Sequence, residues 1–310
     1  MTKVVLTQTP VPYFTEDDIN NATEKALDKL EYAFNPKIRK VVIKPNLCYY
    51  WDYSTGETTD PRLVSAVIDW IRLKIGNDID ISVAEADASA MRTKYAFKVL
   101  GYDKLCQKKK VNLINLSQGE IRDVPITVRE KNFSLPINEI LLNSDLIINL
   151  PKLKTHNFVG TTCALKNMFG AISKPRKYSY HQMISHVIVG INKVVKSNII
   201  LVDGLIAKGS YPKKLGVILA GDDALATDFI AARIMGFNPL KVAHLNLAAK
   251  EKIGNTKNIS LIEDVKFDDL KKKFPHYNHV THSMIMKMQI RLLKSYTKFT
   301  GDVFPPFIEK

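Results

Sequence analysis

Cysteine is scarce in this chain of 310 residues, which holds only Cys48, Cys106 and Cys163. The three lie far apart and form no CxxC pair, so neither a disulfide framework nor a cysteine-bound iron–sulfur cluster is expected. Long apolar runs are missing too, since none approaches the roughly 18 residues of a transmembrane helix. The apolar stretch near the N-terminus is short and interrupted by Pro10 and Pro12, which does not fit a signal peptide. We therefore expect a cytoplasmic protein.

Several catalytic motifs are also missing. No GxGxxG follows a strand-like run, and no GxxxxGK is followed by Ser or Thr, so neither a Rossmann dinucleotide site nor a Walker phosphate loop is supported. The GxSxG and HExxH motifs of hydrolases and zinc proteases are absent as well. The distribution of charge is therefore the stronger guide to function.

Acidic residues are absent between Asp145 and Asp203, although the chain has 31 of them. This acid-free span contains seven lysines and one arginine, and the whole chain has a formal net charge of +14. Such a balance favours anionic partners: a nucleotide, a phosphate, a carboxylate, nucleic acid or an acidic membrane surface. If the cations converge in space they form an anion site, and if they spread over helix faces they form only a solvated surface.

Short β-rich runs alternate with helical periodicity along the chain, as in the runs KVVLTQ, RKVVIKP, DISVAEAD, DLIINLP and LGVILAGD. This alternation predicts an α/β fold with mostly parallel sheet layers and helices on both faces. Asp60 as N-cap and Pro61 as first helical residue predict one helix start. We expect an α/β domain over residues 1–275, with lobes 1–150 and 151–275 around a central cleft.

Polar residues follow four predicted strands, at residues 44–46, 85–89, 151–156 and 202–204. In open α/β sheets, ligands bind beyond the carboxyl ends of the strands. The four loops therefore predict one shared site, although strand ends are also where polar residues belong in any such fold.

Lys166 in the acid-free span is the first candidate catalytic residue. An amine among other cations has its charged form disfavoured, so its pKa falls and it can act as nucleophile or base, whereas a phosphate-binding point charge is the alternative. His156 and His181 flank it and would act as an acid/base pair or as ligands of one metal. Asp203 is the third predicted metal ligand, or else a turn residue.

The other candidates would hold a cofactor or an anionic ligand. Lys152 and Lys154 share one face if the strand continues, and Asn46 and Asn167 carry amides suited to orienting a carboxylate or phosphate. The predicted cofactor-binding set comprises Lys44, Asn46, Lys152, Lys154, Asn167, Gly170 and Gly204.

A family resemblance rests on the ordered blocks VVIKPNLC, TTDPRLVSAVIDWI, SDLIINLPKLKTH, ALKNMFGAIS, YHQMI, ILVDGL and ILAGDDALATDFIAARIMGFNP. They resemble the blocks of the family known as domain of unknown function 362, over about residues 40–254. Members often carry a cysteine-rich, ferredoxin-like segment. This chain has none, so no iron–sulfur cluster is expected.

A more distant resemblance concerns nickel-pincer-nucleotide enzymes of the lactate racemase type. His156, Gly160, Lys166 and His181 follow one another in the order of a histidine, a glycine-rich turn, a lysine and a second histidine in those enzymes. The resemblance implies a shared two-lobed architecture and leaves a divalent transition metal open as cofactor. In those enzymes the lysine anchors the cofactor covalently, a role that would fall to Lys166.

The last residues, 276–310, predict a basic amphipathic helix and tail. One helical face would carry Lys287, Arg291, Lys294 and Lys298, with Met284, Ile285, Met288, Leu292 and Tyr296 elsewhere. Such a helix packs on its own fold, on a second copy of the chain, on an acidic membrane or on RNA. His276, His279 and His282 have i, i+3, i+6 spacing, for which a surface or structural role is favoured.

Three functions stay open at this point. The first is an enzyme, isomerase- or oxidoreductase-like and dependent on a metal or cofactor, that acts on an anionic small molecule or nucleotide-like cofactor in a Lys/His-lined cleft. The second is nucleic-acid binding through the basic span and the tail, which the lack of RNP-like aromatic spacing disfavours. The third is a membrane-surface or scaffold protein docked by its C-terminal helix.

Overall fold

Strands and helices alternate along residues 2–276, the part of the chain that the computed structural model describes. The strands are β1 Thr2–Gln8, β2 Lys40–Pro45, β3 Asp80–Glu85, β4 Asn112–Asn115, β5 Ile121–Val128, β6 Lys131–Asn138, β7 Leu146–Leu150, β8 Lys152–His156, β9 Gly160–Thr162, β10 Ile199–Lys208, β11 Pro212–Gly221 and β12 Ile259–Glu263. The helices are α1 Glu16–Leu30, α2 Pro61–Ile75, α3 Thr93–Val99, α4 Tyr102–Lys109, α5 Glu139–Leu142, α6 Ala164–Met168, α7 Ile184–Val194, α8 Ala224–Ile234, α9 Ala243–Lys250 and α10 Phe267–Lys273. Short 3-10 turns occupy Tyr53–Thr55, Phe169–Ala171, Lys177–Met183 and Pro239–Lys241.

The starts of α1 and α2 follow the capping rules of the sequence. The Asp60 side chain accepts a hydrogen bond from the backbone N–H of Arg62, and Pro61 opens α2, as predicted. At α1, Thr15 and Asp18 form a reciprocal capping box, and three acids in the first turn suit the positive end of the helix dipole.

The sheet has ten strands, and its main path runs in the order β12-β1-β11-β10-β7-β2-β3-β4. The pairings β12–β1, β10–β7, β7–β2, β2–β3 and β3–β4 are parallel. Only β11 on this path runs antiparallel to its neighbours, because the connection from β10 is too short for a crossover. The predicted α/β fold with a mostly parallel sheet is therefore confirmed.

Helices cover both faces of this sheet. Along β2, Val41 and Ile43 pack in the cluster formed with α1, α2, α3 and α4, whereas Val42 between them packs in the cluster formed with α6, α7, α8 and α9. Residues of β7 are buried throughout, as expected of a parallel strand that is covered on both sides. The two covered faces leave the strand ends as the place for a ligand.

Among the elements that the sequence analysis did not predict is the β5–β6 hairpin, which forms a separate two-stranded sheet. It packs on α7 at Gly190, where a Cβ atom would lie 2.8 Å from the Phe133 ring. Only glycine allows so close an approach of hairpin and helix.

Strands from residues 1–150 and from residues 151–275 lie in the same sheet. The boundary between two lobes stays a prediction. The predicted C-terminal helix, with His279 and His282, lies outside the described residues. Among residues 2–276, no helix has the length and apolar character needed to cross a bilayer.

Candidate functional site

A cavity of about 220 Å³ lies beyond the carboxyl ends of β2, β3 and β7 and against β8 and α6. Its walls include eight of the predicted site residues, Asn46, Lys152, Lys154, His156, Lys166, Asn167, Gly170 and His181. The structure therefore brings together residues that are up to 135 positions apart in the sequence. Lys44, Asp203 and Gly204 lie beside or beneath this cavity and not on its wall.

Lys44 lies fully buried at the end of β2 and pairs with Glu85 at the end of β3. Its Nζ donates to Glu85 Oε2 at 2.6 Å and to the Pro45 carbonyl at 2.9 Å. Burial lowers the pKa of Lys44, and the charge of Glu85 opposes that shift. Both partners of this amine belong to the protein. Lys44 therefore supports the cavity by holding Glu85, which lines it.

Lys152 makes a second buried ion pair, with Asp203 of β10. Register places the two residues opposite each other, and Lys152 Nζ donates to Asp203 Oδ2 at 2.9 Å. The backbone N–H groups of Asp60 and Leu205 also donate to this carboxylate, at 2.8 and 3.0 Å. Burial raises the pKa of Asp203, and Lys152 opposes the rise. Asp203 thus joins β10, β8 and the start of α2.

Lys154 is the third paired lysine. Its Nζ donates to the Glu57 carboxylate at 2.9 Å and to the Glu57 carbonyl at 2.7 Å. Lys208 pairs with the other oxygen of the same carboxylate. The acid-free span is therefore not free of acids in space, because Glu57, Glu85 and Asp203 reach it from other elements.

Lys166 differs from these three lysines, because no carboxylate of residues 2–276 pairs with it. Its Nζ lies 4.5 Å from the centre of the Phe169 ring, within cation–π range. Burial and the charges of Lys154 and Lys44 lower the pKa of Lys166 to about 8. Near neutral pH this amine is therefore a cation that loses its proton readily, as a base or nucleophile must.

Lys177 is a functional candidate that the sequence analysis missed. Its side chain is buried, and its Nζ donates to the carbonyls of Asp87 and Gly170, both at 2.8 Å. No carboxylate of the described residues forms an ion pair with it, and burial lowers the pKa of Lys177 to about 7. The available signal was its place within the acid-free span.

His156 stands at the end of β8 as a neutral ring. Burial, then the charges of Lys166 and Lys154, lower the pKa of His156 to about 3. The backbone N–H of Phe158 donates to His156 Nδ1 at 3.1 Å, so the ring hydrogen of the neutral tautomer lies on Nε2. His156 is thereby a hydrogen-bond donor near neutral pH. The centre of the His181 ring lies 5.8 Å from that of Phe158 and 6.5 Å from that of Phe169.

Three asparagines form a chain of hydrogen bonds at the cavity. Asn167 Nδ2 donates to Asn149 Oδ1 at 2.8 Å, and Asn46 Nδ2 donates to Asn167 Oδ1 at 3.1 Å. Both ends of the Asn167 amide are thus used inside the protein. Asn46 Oδ1 is buried and has no partner, so it is the acceptor in this chain that a bound ligand would satisfy.

The two predicted glycines have different surroundings. A Cβ atom at Gly170 would lie 3.1 Å from both Glu85 Oε1 and Lys44 Nζ, so glycine lets the chain close over that ion pair. At Gly204 it would lie 2.4 Å from Val217 Cγ1, which points to packing within the sheet. Gly170 supports the cavity through its carbonyl and its small size.

Asp228 of α8 fixes the start of α6, the helix that carries Lys166. Its carboxylate accepts the backbone N–H groups of Ala164 and Leu165 at 2.6 and 3.0 Å. Burial raises the pKa of Asp228 to about 7 in spite of these bonds. Asp228 therefore supports the position of Lys166 and does not line the cavity.

The predicted metal ligands His156, His181 and Asp203 do not form a metal centre in this arrangement. Across residues 2–276, no three His, Cys, Asp or Glu side chains are grouped so that they could hold a metal ion. His156 Nδ1 already accepts a hydrogen bond, and the Asp203 carboxylate is used by Lys152 and two backbone donors. A divalent metal stays a prediction from the sequence.

The fold and the cavity define an α/β protein with cationic side chains at the carboxyl ends of its strands. The chain belongs to the family described as domain of unknown function (DUF362), whose model matches residues 41–233. The family prediction made from the motif blocks is confirmed.

A curated protein and a solved structure are similar to this chain. The thylakoid-associated protein sll1697 of Synechocystis sp. is 24% identical over 228 residues, which cover 69% of this chain and 68% of that protein. The lactate racemase apoprotein of Thermoanaerobacterium thermosaccharolyticum superposes with a TM-score of 0.42 at 14% identity. That superposition covers 83% of this chain and 58% of the racemase, less than two thirds of its length.

Proposed function

We propose that this protein is a cytoplasmic enzyme that binds an anionic small molecule in the 220 Å³ cavity. The observation that carries the proposal is the pair of amines of Lys166 and Lys177, which lack a carboxylate partner among residues 2–276. Their pKa values of about 8 and 7 reflect charges held in a poorly solvated place. An anion between them would supply the missing counter-charge.

Other side chains of the cavity wall would orient the ligand and take part in the reaction. Asn46 Oδ1 would accept a hydrogen bond from the ligand, and the neutral His156 would donate one to an oxygen that gains negative charge. Lys166 would hold the anion as a cation, and the fraction that is deprotonated, which its pKa of about 8 sets, would act as the base or nucleophile. These roles suit proton abstraction beside a carboxylate or attack on a carbonyl carbon.

The size of the cavity limits which part of a ligand can bind in it. Ligand pockets commonly span roughly 300–1,000 Å³, so a cavity of 220 Å³ suits a phosphate or carboxylate group and not a whole nucleotide. We therefore propose that any nucleotide-like cofactor binds here only through its anionic end.

Sulfate tests the cationic site, because it stays a dianion across the useful pH range. The amines lose their protons as the pH rises through about 7 and 8, and sulfate binds the protonated forms. We expect its affinity, measured by calorimetry, to be highest at pH 6 and to fall at least tenfold by pH 9. In the control variant Lys196→Met, which removes an exposed lysine of the same span, the pH profile should not change. A flat profile in the unchanged protein would contradict the proposal.

An anionic membrane surface is the second candidate partner, supported by the similarity to sll1697 of Synechocystis sp., a thylakoid-associated protein. We propose that residues 283–310, outside the described part, would provide that contact through their basic residues. Deleting them should abolish flotation with vesicles that contain acidic lipid, while circular dichroism shows a folded core. Unchanged flotation would exclude the tail as the contact. Nucleic acid, the less favoured alternative, would instead compete with the vesicles in a salt-dependent way.

A further inference from the structure

A second and larger cavity adjoins the first. Its volume is about 1220 Å³, and it lies between β9, α7 and α9. Apolar side chains form much of its wall, among them Phe158, Met183, Ile184, Phe237, Val242 and Leu247. No site residue predicted from the sequence belongs to it except His181, so it calls for a separate explanation.

His181 forms a wall that the two cavities share. Its ring lies near Phe158, which lines the large cavity, and near Phe169, which lines the cationic cavity. The β8–β9 hairpin makes a second link, because His156 in the small cavity pairs with Gly160 in the large one. The two spaces are therefore neighbours across a few side chains.

His244 is a buried polar residue in the wall of the large cavity. The residue is only 1% exposed, and its Nδ1 has no hydrogen-bond partner. Unsatisfied polar atoms that are buried are rare and destabilising in folded proteins, and they mark places that a ligand or water completes. His244 thus points to an occupant, in a cavity whose wall combines the apolar side chains named above with the polar and charged residues Lys131, Lys241 and Lys250.

We propose that the two cavities are one site for an amphipathic anion. The anionic group would lie against Lys166 and Lys177, and an apolar chain would pass His181 and pack on Met183 and Leu247. This inference rests on the proposed function and names its ligand class, an anion that carries an alkyl or acyl chain. The two volumes together exceed what such a molecule needs, whereas 220 Å³ alone lies below the roughly 300–1,000 Å³ that ligand pockets commonly span.

Alkyl sulfates test this proposal, because their charge is constant while the chain grows. Burial of one methylene contributes about 0.8 kcal/mol, which corresponds to a roughly fourfold change in affinity. From butyl to octyl sulfate, measured by calorimetry below micellar concentrations on the full chain, we expect a gain of about two orders of magnitude. Methyl sulfate reports on the cationic cavity alone.

Leu247→Asp places a carboxylate in the apolar wall and should remove the chain-length dependence while methyl sulfate binds as before. The matched control is Leu240→Asp, at a leucine that is 53% exposed and outside both cavities. Circular dichroism checks that each variant is folded. If Leu247→Asp does not fold, Met183→Asn replaces it as the test variant.

The outcomes separate the two proposals. If methyl sulfate binds but longer chains bind no better, the amphipathic ligand is wrong and the cationic site stands. If chain-length dependence persists in the folded wall variants, the chain lies elsewhere and this inference is again wrong. If neither methyl sulfate nor sulfate binds, the proposed function itself fails.

Discussion

Replacing Lys166 by methionine is expected to weaken sulfate binding at least tenfold and, at the same time, to stabilise the fold. The binding loss follows from removal of one of the two amines that lack a carboxylate partner in the described chain. The stability gain follows from the pKa of about 8, which lies below the ordinary value of a lysine because of burial and the charges of Lys154 and Lys44. The folded state therefore disfavours the charged amine.

The sign of the effect depends on pH. Below pH 8 the amine is charged in both the folded and the unfolded chain, so the folded state bears the full cost of burying it. Between pH 8 and about 10.5 the folded chain loses this proton first, and the cost disappears. We expect Lys166→Met to raise the free energy of unfolding by about 2 kcal/mol at pH 7 and by much less at pH 10.5. The lost contact with Phe169 reduces the gain by about 0.5–1 kcal/mol.

Denaturant unfolding at both pH values measures this difference, with Lys196→Met as the control for loss of a surface charge. A structural role would give the opposite sign, because removing a stabilising lysine lowers the free energy of unfolding. A fall in stability at pH 7 would therefore contradict the assignment. Stabilisation together with lost binding is the pattern of a residue kept for function.

The α/β fold was predictable because its signals are local. The apolar runs of the parallel strands, the Asp60 cap and Pro61 report burial and helix starts within a few residues of sequence. The β5–β6 hairpin was missed because its two-residue turn, Arg129 and Glu130, carries no Asn-Gly or Asp-Gly signal, and because Pro125 and Pro136 interrupt the two runs. The antiparallel direction of β11 follows from the short connection between β10 and β11. The sequence shows this connection, but the prediction of a mostly parallel sheet did not take it into account.

The location of the site was predictable from the sequence, but the pairing of its side chains was not. The strand-end rule placed Asn46, Lys154 and His156 near one another, and the structure lines one cavity with them. Which lysines have partners depends on sheet register and loop paths, which join Lys154 to Glu57 across 97 positions. Lys177 was missed because its partners are two backbone carbonyls. Every residue carries a carbonyl, so the sequence does not show which ones accept a hydrogen bond from this lysine.

Replacing Asp203 by alanine is expected to cost about 3–5 kcal/mol of unfolding free energy. Lys152 and Asp203 are 1% and 0% exposed, so removal of the carboxylate leaves an ammonium group buried without its counter-charge. The N–H groups of Asp60 and Leu205 lose their acceptor as well. Breaking one partner of a buried pair costs far more than the pair itself contributes.

Asp69→Ala is the matched control, because Asp69 pairs with Lys109 on the surface with its side chain 55% exposed. Such pairs contribute about 0–1 kcal/mol, so the two aspartates should differ severalfold in denaturant unfolding. The double variant Lys152→Met, Asp203→Ala should recover part of the loss, since it removes the stranded charge and leaves only the two backbone donors unpaired. If Asp203→Ala cost no more than Asp69→Ala, the carboxylate would not hold β10, β8 and α2 together, and its predicted role as a metal ligand would regain the stronger claim.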